Sequence, residues 1–254
     1  MFRSVLRQVD SHIVKTVQQR MSDFRFDSNT DTILFFGDPN LGGDGFRLFS
    51  GFFPNAKQLI WKKGTGKTAL RKELRSRSWL FTISFYNDFI FSYDDFDFLG
   101  LPLNIHPALP VLRGVGYDHV PLIENHGEHG ATLHFMNRSS RLKVDIKSDV
   151  DSGRIIRVRK RTLSPEATYG DLRLLNQHVA LDMLAGLCKQ MLVWGCVETA
   201  RRELCAEAET NGFVWSRRYI SSSILGKMLE DLYMFDPGHR VFVEKPRLVC
   251  PVGD

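Results

Sequence analysis

The chain has 254 residues, of which 43% are hydrophobic and 25% charged, and its net charge is +5 at pH 7. This composition is typical of globular domains, and the length allows one or two domains with a sizeable core. No apolar run approaches the roughly 18 residues that a membrane helix needs, and the N-terminus lacks the apolar region of a signal peptide. Four scattered cysteines without a Cys-x-x-Cys motif indicate a reducing compartment, so we predict a cytoplasmic protein without membrane insertion.

The first 30 residues predict an amphipathic helix, because apolar side chains recur at helical spacing from Val5 to Val17. From residue 31 onward, short apolar strands alternate with helical segments, which is typical of βαβ units around a parallel sheet. The predicted strands cover residues 32–37, 57–61, 79–85, 103–106, 130–136 and 154–160. We therefore predict an α/β, Rossmann-like fold with a mostly parallel twisted sheet flanked by helices.

The C-terminal part predicts a long helix over 169–194, a second helix over 197–208 and a third near 223–232. A short strand is predicted over 240–244. These patterns divide the chain into an N-terminal helical extension (1–30), a Rossmann-like core (31–165) and a smaller C-terminal extension of helices and mixed structure (166–254).

Asn104 and His106 lie two residues apart on a predicted strand, so their side chains point to the same face, and Pro107 ends the strand. An amide beside an imidazole suits acyl transfer, because the amide can donate to a developing oxyanion while the imidazole moves a proton. A carboxylate such as Asp151 can fix the imidazole tautomer and raise its basicity.

Other motifs are incomplete. Gly66-Lys67-Thr68 resembles the end of a phosphate-binding loop, but Trp61 stands where that loop needs its first glycine. Gly43-x-Gly45 lacks the third glycine of a dinucleotide-binding turn. Four histidines have spacings that match no common metal template, and we predict no metal site: His119, His126, His129 and His134.

The motifs that follow Asn104-Ile105-His106-Pro107 occur in a characteristic order. They are Arg113-Gly114, then Gly130-Ala131-Thr132-Leu133-His134, then Asp151-Ser152-Gly153-Arg154-Ile155-Ile156. Over about residues 30–175, this series resembles the formyltransferase family, which uses N10-formyltetrahydrofolate. The resemblance implies catalytic roles for Asn104, His106 and Asp151. Asp145 and Asp149 compete with Asp151 for its place, because the segment before it is longer than is usual in the family.

The resemblance also implies that one strand and its loop cradle the pterin, largely through backbone hydrogen bonds: Ser84, Phe85, Tyr86, Asn87, Asp88 and Ile90. The stretch that precedes Asp151, including Asp149, is implied to complete this pocket. The aromatic run over residues 81–98 either packs in the core or forms an apolar slot for a flat ring.

The stretch from Trp215 to Tyr219 and the compact tail are similar to sugar N-formyltransferases. These enzymes formylate nucleotide-linked amino-deoxy sugars, such as GDP-perosamine or dTDP-linked 4-amino-4,6-dideoxy sugars, for O-antigen and other surface glycans. We therefore expect folate and a nucleotide-linked amino sugar as partners, no nucleic acid, and a homodimer. Two alternatives stay open: a formyltetrahydrofolate hydrolase, and a non-catalytic protein that binds folate or a nucleotide.

Residues 137–161 carry nine Lys or Arg against three Asp. This basic segment is either a solvated hairpin or a surface that faces an anion, such as a diphosphate or a glutamate tail.

Overall fold

The structure is a computed structural model that describes residues 32–138 and 150–246. The predicted N-terminal helix, the competing residues Asp145 and Asp149, and the rest of residues 139–149 in the basic segment lie outside the described residues. Within the described ranges, no helix is long and apolar enough to cross a membrane.

In the part of the chain that the structure describes, eight strands form two sheets. They are β1 (Ile33–Gly37), β2 (Lys57–Ile60), β3 (Phe81–Phe85), β4 (Leu101–His106), β5 (Arg113–Gly114), β6 (Glu128–Phe135), β7 (Ile155–Thr162) and β8 (Tyr219–Ile220). The main sheet has the order β2-β1-β3-β4-β6-β7, while β5 and β8 pair separately. Strands β1 to β4 are parallel, and β6 is antiparallel to both of its neighbours. The predicted α/β fold with a mostly parallel sheet is confirmed.

The helices flank this sheet. They are α1 (Leu41–Phe52), α2 (Lys67–Leu74), α3 (Val120–Ile123), α4 (Tyr169–Trp194), α5 (Val197–Asn211) and α6 (Ser222–Phe235). The strand predicted over residues 240–244 is wrong, since Arg240–Phe242 forms a 3₁₀ turn. The Arg240 guanidinium donates to the carbonyl of Leu122 and to Asn125, which holds this segment against α3 instead of along a strand.

The central strands are buried on both faces. On β1, Ile33 and Phe35 pack towards α1, α4 and α5, while Leu34 and Phe36 pack towards α2 on the opposite face. Full burial of each such side chain contributes about 1.5–3 kcal/mol to the free energy of unfolding. Helices α4 and α5 share one hydrophobic core with α1 and the central strands. The division of the chain at residue 165 stays a prediction.

The sheet order fixes where a ligand can bind. The chain leaves β1 towards β2 on one side and later enters β3 on the other side, so the connections diverge between β1 and β3. In open α/β sheets, such a switch point leaves a crevice at the carboxyl ends of the strands.

Candidate active site

A cleft of about 1330 Å³ opens at the carboxyl ends of β1, β3 and β4. Asn104, His106 and Asp151 all line it. Its volume exceeds the roughly 300–1,000 Å³ that is usual for the pocket of one small ligand. The cleft therefore has room for two substrates side by side.

The three residues predicted from the sequence converge in this cleft. His106 ends β4, and its Nδ1 lies 3.6 Å from Asp151 Oδ2. Asn104 lies on the same strand two residues earlier and connects to Asp151 through His134, whose Nε2 is 3.8 Å from Asp151 Oδ1. An amide, two imidazoles and a carboxylate thus form one group.

The hydrogen bonds of His134 determine its tautomer. Its Nδ1 lies 2.8 Å from the carbonyl oxygen of Phe135, which can only accept, so Nδ1 carries the proton. The lone pair of Nε2 then accepts from Asn104 Nδ2 at 2.9 Å. This bond orients the Asn104 amide. The second N–H of the same amide group has no hydrogen-bond partner within residues 32–138 and 150–246.

The tautomer of His106 is likewise fixed by a hydrogen bond to a backbone carbonyl. Its Nε2 lies 2.8 Å from the carbonyl oxygen of Leu112, so Nε2 donates and Nδ1 carries the lone pair in the neutral ring. That lone pair faces the carboxylate of Asp151. Proton uptake at Nδ1 would therefore create an imidazolium directly beside a negative charge, which is the arrangement of a general base with a stabilising partner.

The backbone holds Asp151 in place. Its Oδ2 accepts from the Gly114 N–H at 2.8 Å, and Arg113 donates to the carbonyls of Val150 and Asp151 at 2.7 and 2.9 Å. Asp151 has a positive φ of 45°, a conformation that aspartate tolerates better than most residues. These bonds compensate for the strain and fix the carboxylate towards His106.

Gly153 is required by close packing in the Asp-Ser-Gly turn. A Cβ at this position would lie 1.6 Å from the carbonyl oxygen of Phe135, the oxygen that also binds His134. We expect Gly153→Ala to lower the free energy of unfolding by about 3 kcal/mol, measured by chemical denaturation. Gly51→Ala is the matched control, because nothing lies within 4 Å of its added Cβ and alanine favours its helix. Equal stability of the two variants would contradict this packing.

Trp215 reaches the site from the C-terminal part of the chain. Its ring lies edge-on to His106 and His134, with centroids 5.8 and 5.0 Å away, and its Nε1 donates to the carbonyl of Gly153 at 2.6 Å. The indole thus packs against both imidazoles of the site. Sequence reasoning noted Trp215 only for its similarity to sugar N-formyltransferases and did not assign it to the site.

His134 is the main residue that the sequence predictions missed. It belongs to a motif that resembles the family, but its place beside Asn104 follows from the register, since the two residues pair directly across β4 and β6. The pairing of β6 with β7 is irregular between Leu133 and His134. Irregularities of this kind, such as β-bulges, are common beside functional sites.

The segment implied to hold the pterin lines the cleft next to the trio, with one exception. Ser84, Tyr86, Asn87, Asp88 and Ile90 reach the cleft. Phe85 is fully buried and packs on Phe35 in the core, so its side chain does not line the cleft.

Hydrogen bonds stiffen this segment. Asn87 Nδ2 donates to Ser84 Oγ at 2.8 Å, and its Oδ1 accepts from the Phe89 N–H at 3.0 Å. Trp61 Nε1 donates to Asp88 Oδ1 at 2.6 Å. In the aromatic run, Phe89 packs on Phe36 and also reaches the cleft, so it serves both the core and the slot.

A second polar group lines the cleft beyond His106. The ring of Tyr117 lies 6.3 Å from the His106 ring and 6.1 Å from the Tyr86 ring. Asp118 is buried beside them and accepts a hydrogen bond from Asn176 on α4, while burial raises the pKa of Asp118 to about 6. Burial also leaves the Tyr86 hydroxyl without a hydrogen-bond partner in the described structure.

Two buried histidines make the stability of the folded chain depend on pH. Burial lowers the pKa of His134 from 6.5 to about 4 and that of His129 to about 3. The unfolded chain therefore binds more protons than the folded chain between pH 6.5 and about pH 4. We expect the free energy of unfolding to fall as the pH falls through this window, by up to about 1.4 kcal/mol per pH unit for each histidine. Asp118 acts in the opposite direction, since its pKa is raised.

Chemical denaturation at several pH values checks this dependence. His129→Gln removes one of the two titrating groups and is expected to flatten the slope by close to one proton. The exposed His178→Gln is the control and should keep the original slope. Parallel slopes for the two variants would mean that His129 is not kept neutral by burial.

Among the described residues, no group of three or more His, Cys, Asp or Glu side chains has the geometry to hold a metal ion. The four histidines of the sequence motif separate into buried strand residues, His129 and His134, and more accessible residues, His119 and His126.

Comparison with known proteins identifies the fold of the chain. No family model matches the chain, and no curated protein matches it in sequence. Solved structures do match. An N-formyltransferase from Helicobacter canadensis, in complex with folinic acid and dTDP-3-aminofucose, superposes with a TM-score of 0.56 at 15% identity, over 77% of this chain and 72% of that one.

The chain has the formyltransferase fold. The formyltransferase PseJ from Anoxybacillus kamchatkensis gives a TM-score of 0.54 at 17% identity, over 85% of this chain and 95% of that one. Phosphoribosylglycinamide formyltransferase from Streptococcus pneumoniae gives 0.50 at 17% identity, over 64% of this chain and 99% of that one. The three superpositions cover between 64% and 85% of this chain.

Proposed function

We propose that this chain is a formyltransferase that moves the formyl group of N10-formyltetrahydrofolate to the amino group of a nucleotide-linked amino sugar. The observation that carries this proposal is the convergence of Asn104, His106 and Asp151 in one cleft of the formyltransferase fold.

The proposed reaction begins when the neutral amine attacks the formyl carbon. A C–N bond forms, the carbonyl oxygen becomes an oxyanion, and the attacking nitrogen becomes positively charged. The remaining N–H of Asn104 donates to the oxyanion, while His106 Nδ1 takes the proton from nitrogen. Asp151 stabilises the imidazolium at 3.6 Å. The C–N10 bond then breaks, and His106 returns the proton to N10, which yields tetrahydrofolate and the formamide.

The folate is proposed to lie along Ser84–Ile90, where the backbone is fixed by Asn87 and the cleft wall contains Phe89. Asp149 stays a predicted contact. The residues present suit a pterin, since the apolar ring of Phe89 lines the cleft beside the polar side chains of Asn87 and Asp88. When bound, the folate supplies the formyl group in an activated form.

The amino sugar is proposed to occupy the other part of the cleft, near Tyr117, Asp118 and Arg173. Two observations support a nucleotide sugar. The cleft has room for a second ligand, and the similar structures from Helicobacter canadensis and Anoxybacillus kamchatkensis contain dTDP-3-aminofucose and UDP-4,6-dideoxy-4-formamido-L-AltNAc. A role in surface glycan synthesis, a cytoplasmic location and a homodimer belong to the same proposal.

Mass spectrometry tests this function. The protein is incubated with N10-formyltetrahydrofolate and a panel of GDP-, dTDP- and UDP-linked amino sugars, and each sugar is examined for the gain of one formyl group. A gain that requires both substrates is the expected result. Release of formate at the same rate without any sugar would identify a hydrolase, and folate binding without turnover on any amine would identify a non-catalytic protein.

A further inference from the structure

Trp215 contacts the reacting groups of the candidate site from behind. Its ring packs edge-on against His106 and His134, at centroid separations of 5.8 and 5.0 Å that are usual for paired aromatic rings. Its Nε1 donates to the Gly153 carbonyl at 2.6 Å. Both imidazoles line the cleft, whereas the indole does not. Any effect of Trp215 on the reaction therefore passes through the residues that it touches.

The segment of residues 215–220, here called the C-terminal strap, is anchored to the loop that follows β4. The Ser216 N–H donates to the Pro110 carbonyl at 2.9 Å, and the Val115 N–H donates to the Ile220 carbonyl at 3.0 Å. Between these two bonds, β8 pairs with β5 in parallel. The strap is thus fixed near both of its ends, and the indole that it carries has a defined position.

The strap also supports the catalytic carboxylate. Gly114, whose N–H donates to Asp151 Oδ2 at 2.8 Å, lies on β5 and pairs with Ile220 of β8. Gly153, whose carbonyl accepts from the indole of Trp215, lies two residues after Asp151. The turn that carries this carboxylate is therefore tied to the strap on two sides.

Each of the two imidazoles is held at two points. One point is a hydrogen bond to a backbone carbonyl, from His106 Nε2 to Leu112 and from His134 Nδ1 to Phe135. The other point is the indole edge. A half-turn of either ring about its Cβ–Cγ bond would break the hydrogen bond and present a C–H group to the carboxylate or to the amide of the trio. The indole opposes this rotation, because a close-packed interior leaves no room for a ring to turn.

We propose that Trp215 is a positioning residue for formyl transfer, which holds the rings of His106 and His134 and the turn of Asp151 in their reactive arrangement. This inference rests on the proposed function, and it makes the C-terminal strap part of the catalytic apparatus. A displacement of about 1 Å among reacting groups can cost about 10²-fold in rate, so loss of the indole should act on kcat. The KM for folate should stay within about twofold, because a group that acts only on the transition state leaves substrate binding unchanged.

Two substitutions separate the ring of Trp215 from its hydrogen bond. Trp215→Phe keeps an aromatic ring beside the histidines but loses the donor to Gly153, and it should lower kcat by about fivefold. Trp215→Ala loses both contacts and should lower kcat by about 10²-fold. Phe213→Ala is the matched control, because this exposed side chain lies two residues earlier and should leave kcat unchanged.

Nuclear magnetic resonance of the imidazole nitrogens gives a readout that does not require turnover. In the unsubstituted chain, proton–nitrogen spectra of the neutral rings should show His106 protonated at Nε2 and His134 protonated at Nδ1. Trp215→Ala should give mixed tautomers in at least one of these rings while the chain stays folded. Trp215→Phe should keep both tautomers, which would be rescue by the conservative variant.

The outcomes distinguish positioning from simple packing. A folded Trp215→Ala variant with normal kcat, or with the same imidazole signals as the unsubstituted chain, would overturn the inference and leave formyl transfer intact. If Trp215→Ala does not fold, an unchanged kcat in Trp215→Phe would overturn it instead. If the unsubstituted chain formylates no amine, the proposed function fails, and the imidazole signals alone then decide whether Trp215 positions the rings.

Discussion

His106→Ala is expected to lower kcat for formyl transfer by on the order of 10³-fold, within the range that general acid–base catalysis contributes. The variant loses the Nδ1 lone pair that faces Asp151 and therefore has no group at this position to take the proton from the attacking amine. The KM for folate should change little, because the imidazole lies beyond the segment Ser84–Ile90.

The measurement is steady-state formyl transfer to the amino sugar identified by mass spectrometry, with thermal denaturation as a check on folding. His178→Ala, at an exposed position of α4, is the matched control and should retain full activity. Near-normal turnover by a folded His106→Ala variant would show that another group moves the proton.

Asp151→Asn is expected to lower kcat by about 10²–10⁴-fold while leaving the fold intact. The asparagine side chain can still accept from the Gly114 N–H, so the loop keeps its main hydrogen bond. The negative charge beside His106 is lost, and the imidazolium that forms during proton transfer is no longer stabilised.

The same experiment separates Asp151 from its competitors in the sequence. Asp145→Asn and Asp149→Asn are measured alongside it, and the exposed Asp182→Asn serves as the control for charge. Only Asp151→Asn should lose most of its kcat. A larger loss in the Asp145 or Asp149 variant would move the carboxylate role to that residue.

Much of the fold could be predicted because its signals are local. Helix α4 begins and ends where the sequence predicts, since Thr168 and Asp171 form a capping box at its start and Gly195 adopts a left-handed φ of 74° at its end. The parallel strands are visible as short apolar runs, because a strand that is covered on both faces does not alternate with polar residues.

What the sequence could not predict depends on residues that are distant along the chain. The β5–β8 pair joins Arg113 to Tyr219, and neither two-residue strand has a pattern of its own. Likewise, the tautomer of His106 depends on the Leu112 carbonyl, and the rings of His106 and His134 pack against the distant Trp215. Such contacts follow from tertiary packing, which overrides local propensity.

The site itself was half predictable. Asn104 and His106 lie two residues apart on a strand, so strand geometry alone places their side chains on the same face. Their meeting with His134 required the antiparallel register of β4 and β6, and their meeting with Asp151 required the turn that Gly153 permits. Phe85 was assigned to the pocket along with its neighbours, yet its side chain points into the core.

A crystal structure of the chain with bound 5-formyltetrahydrofolate is the most direct test that these residues form a formyl-transfer site. We predict a pterin along Ser84–Ile90 and a formyl oxygen about 3 Å from Asn104 Nδ2, within the distance for an oxyanion donor. A folate bound elsewhere on the chain, or one whose formyl group points away from Asn104 and His106, would contradict the proposed reaction.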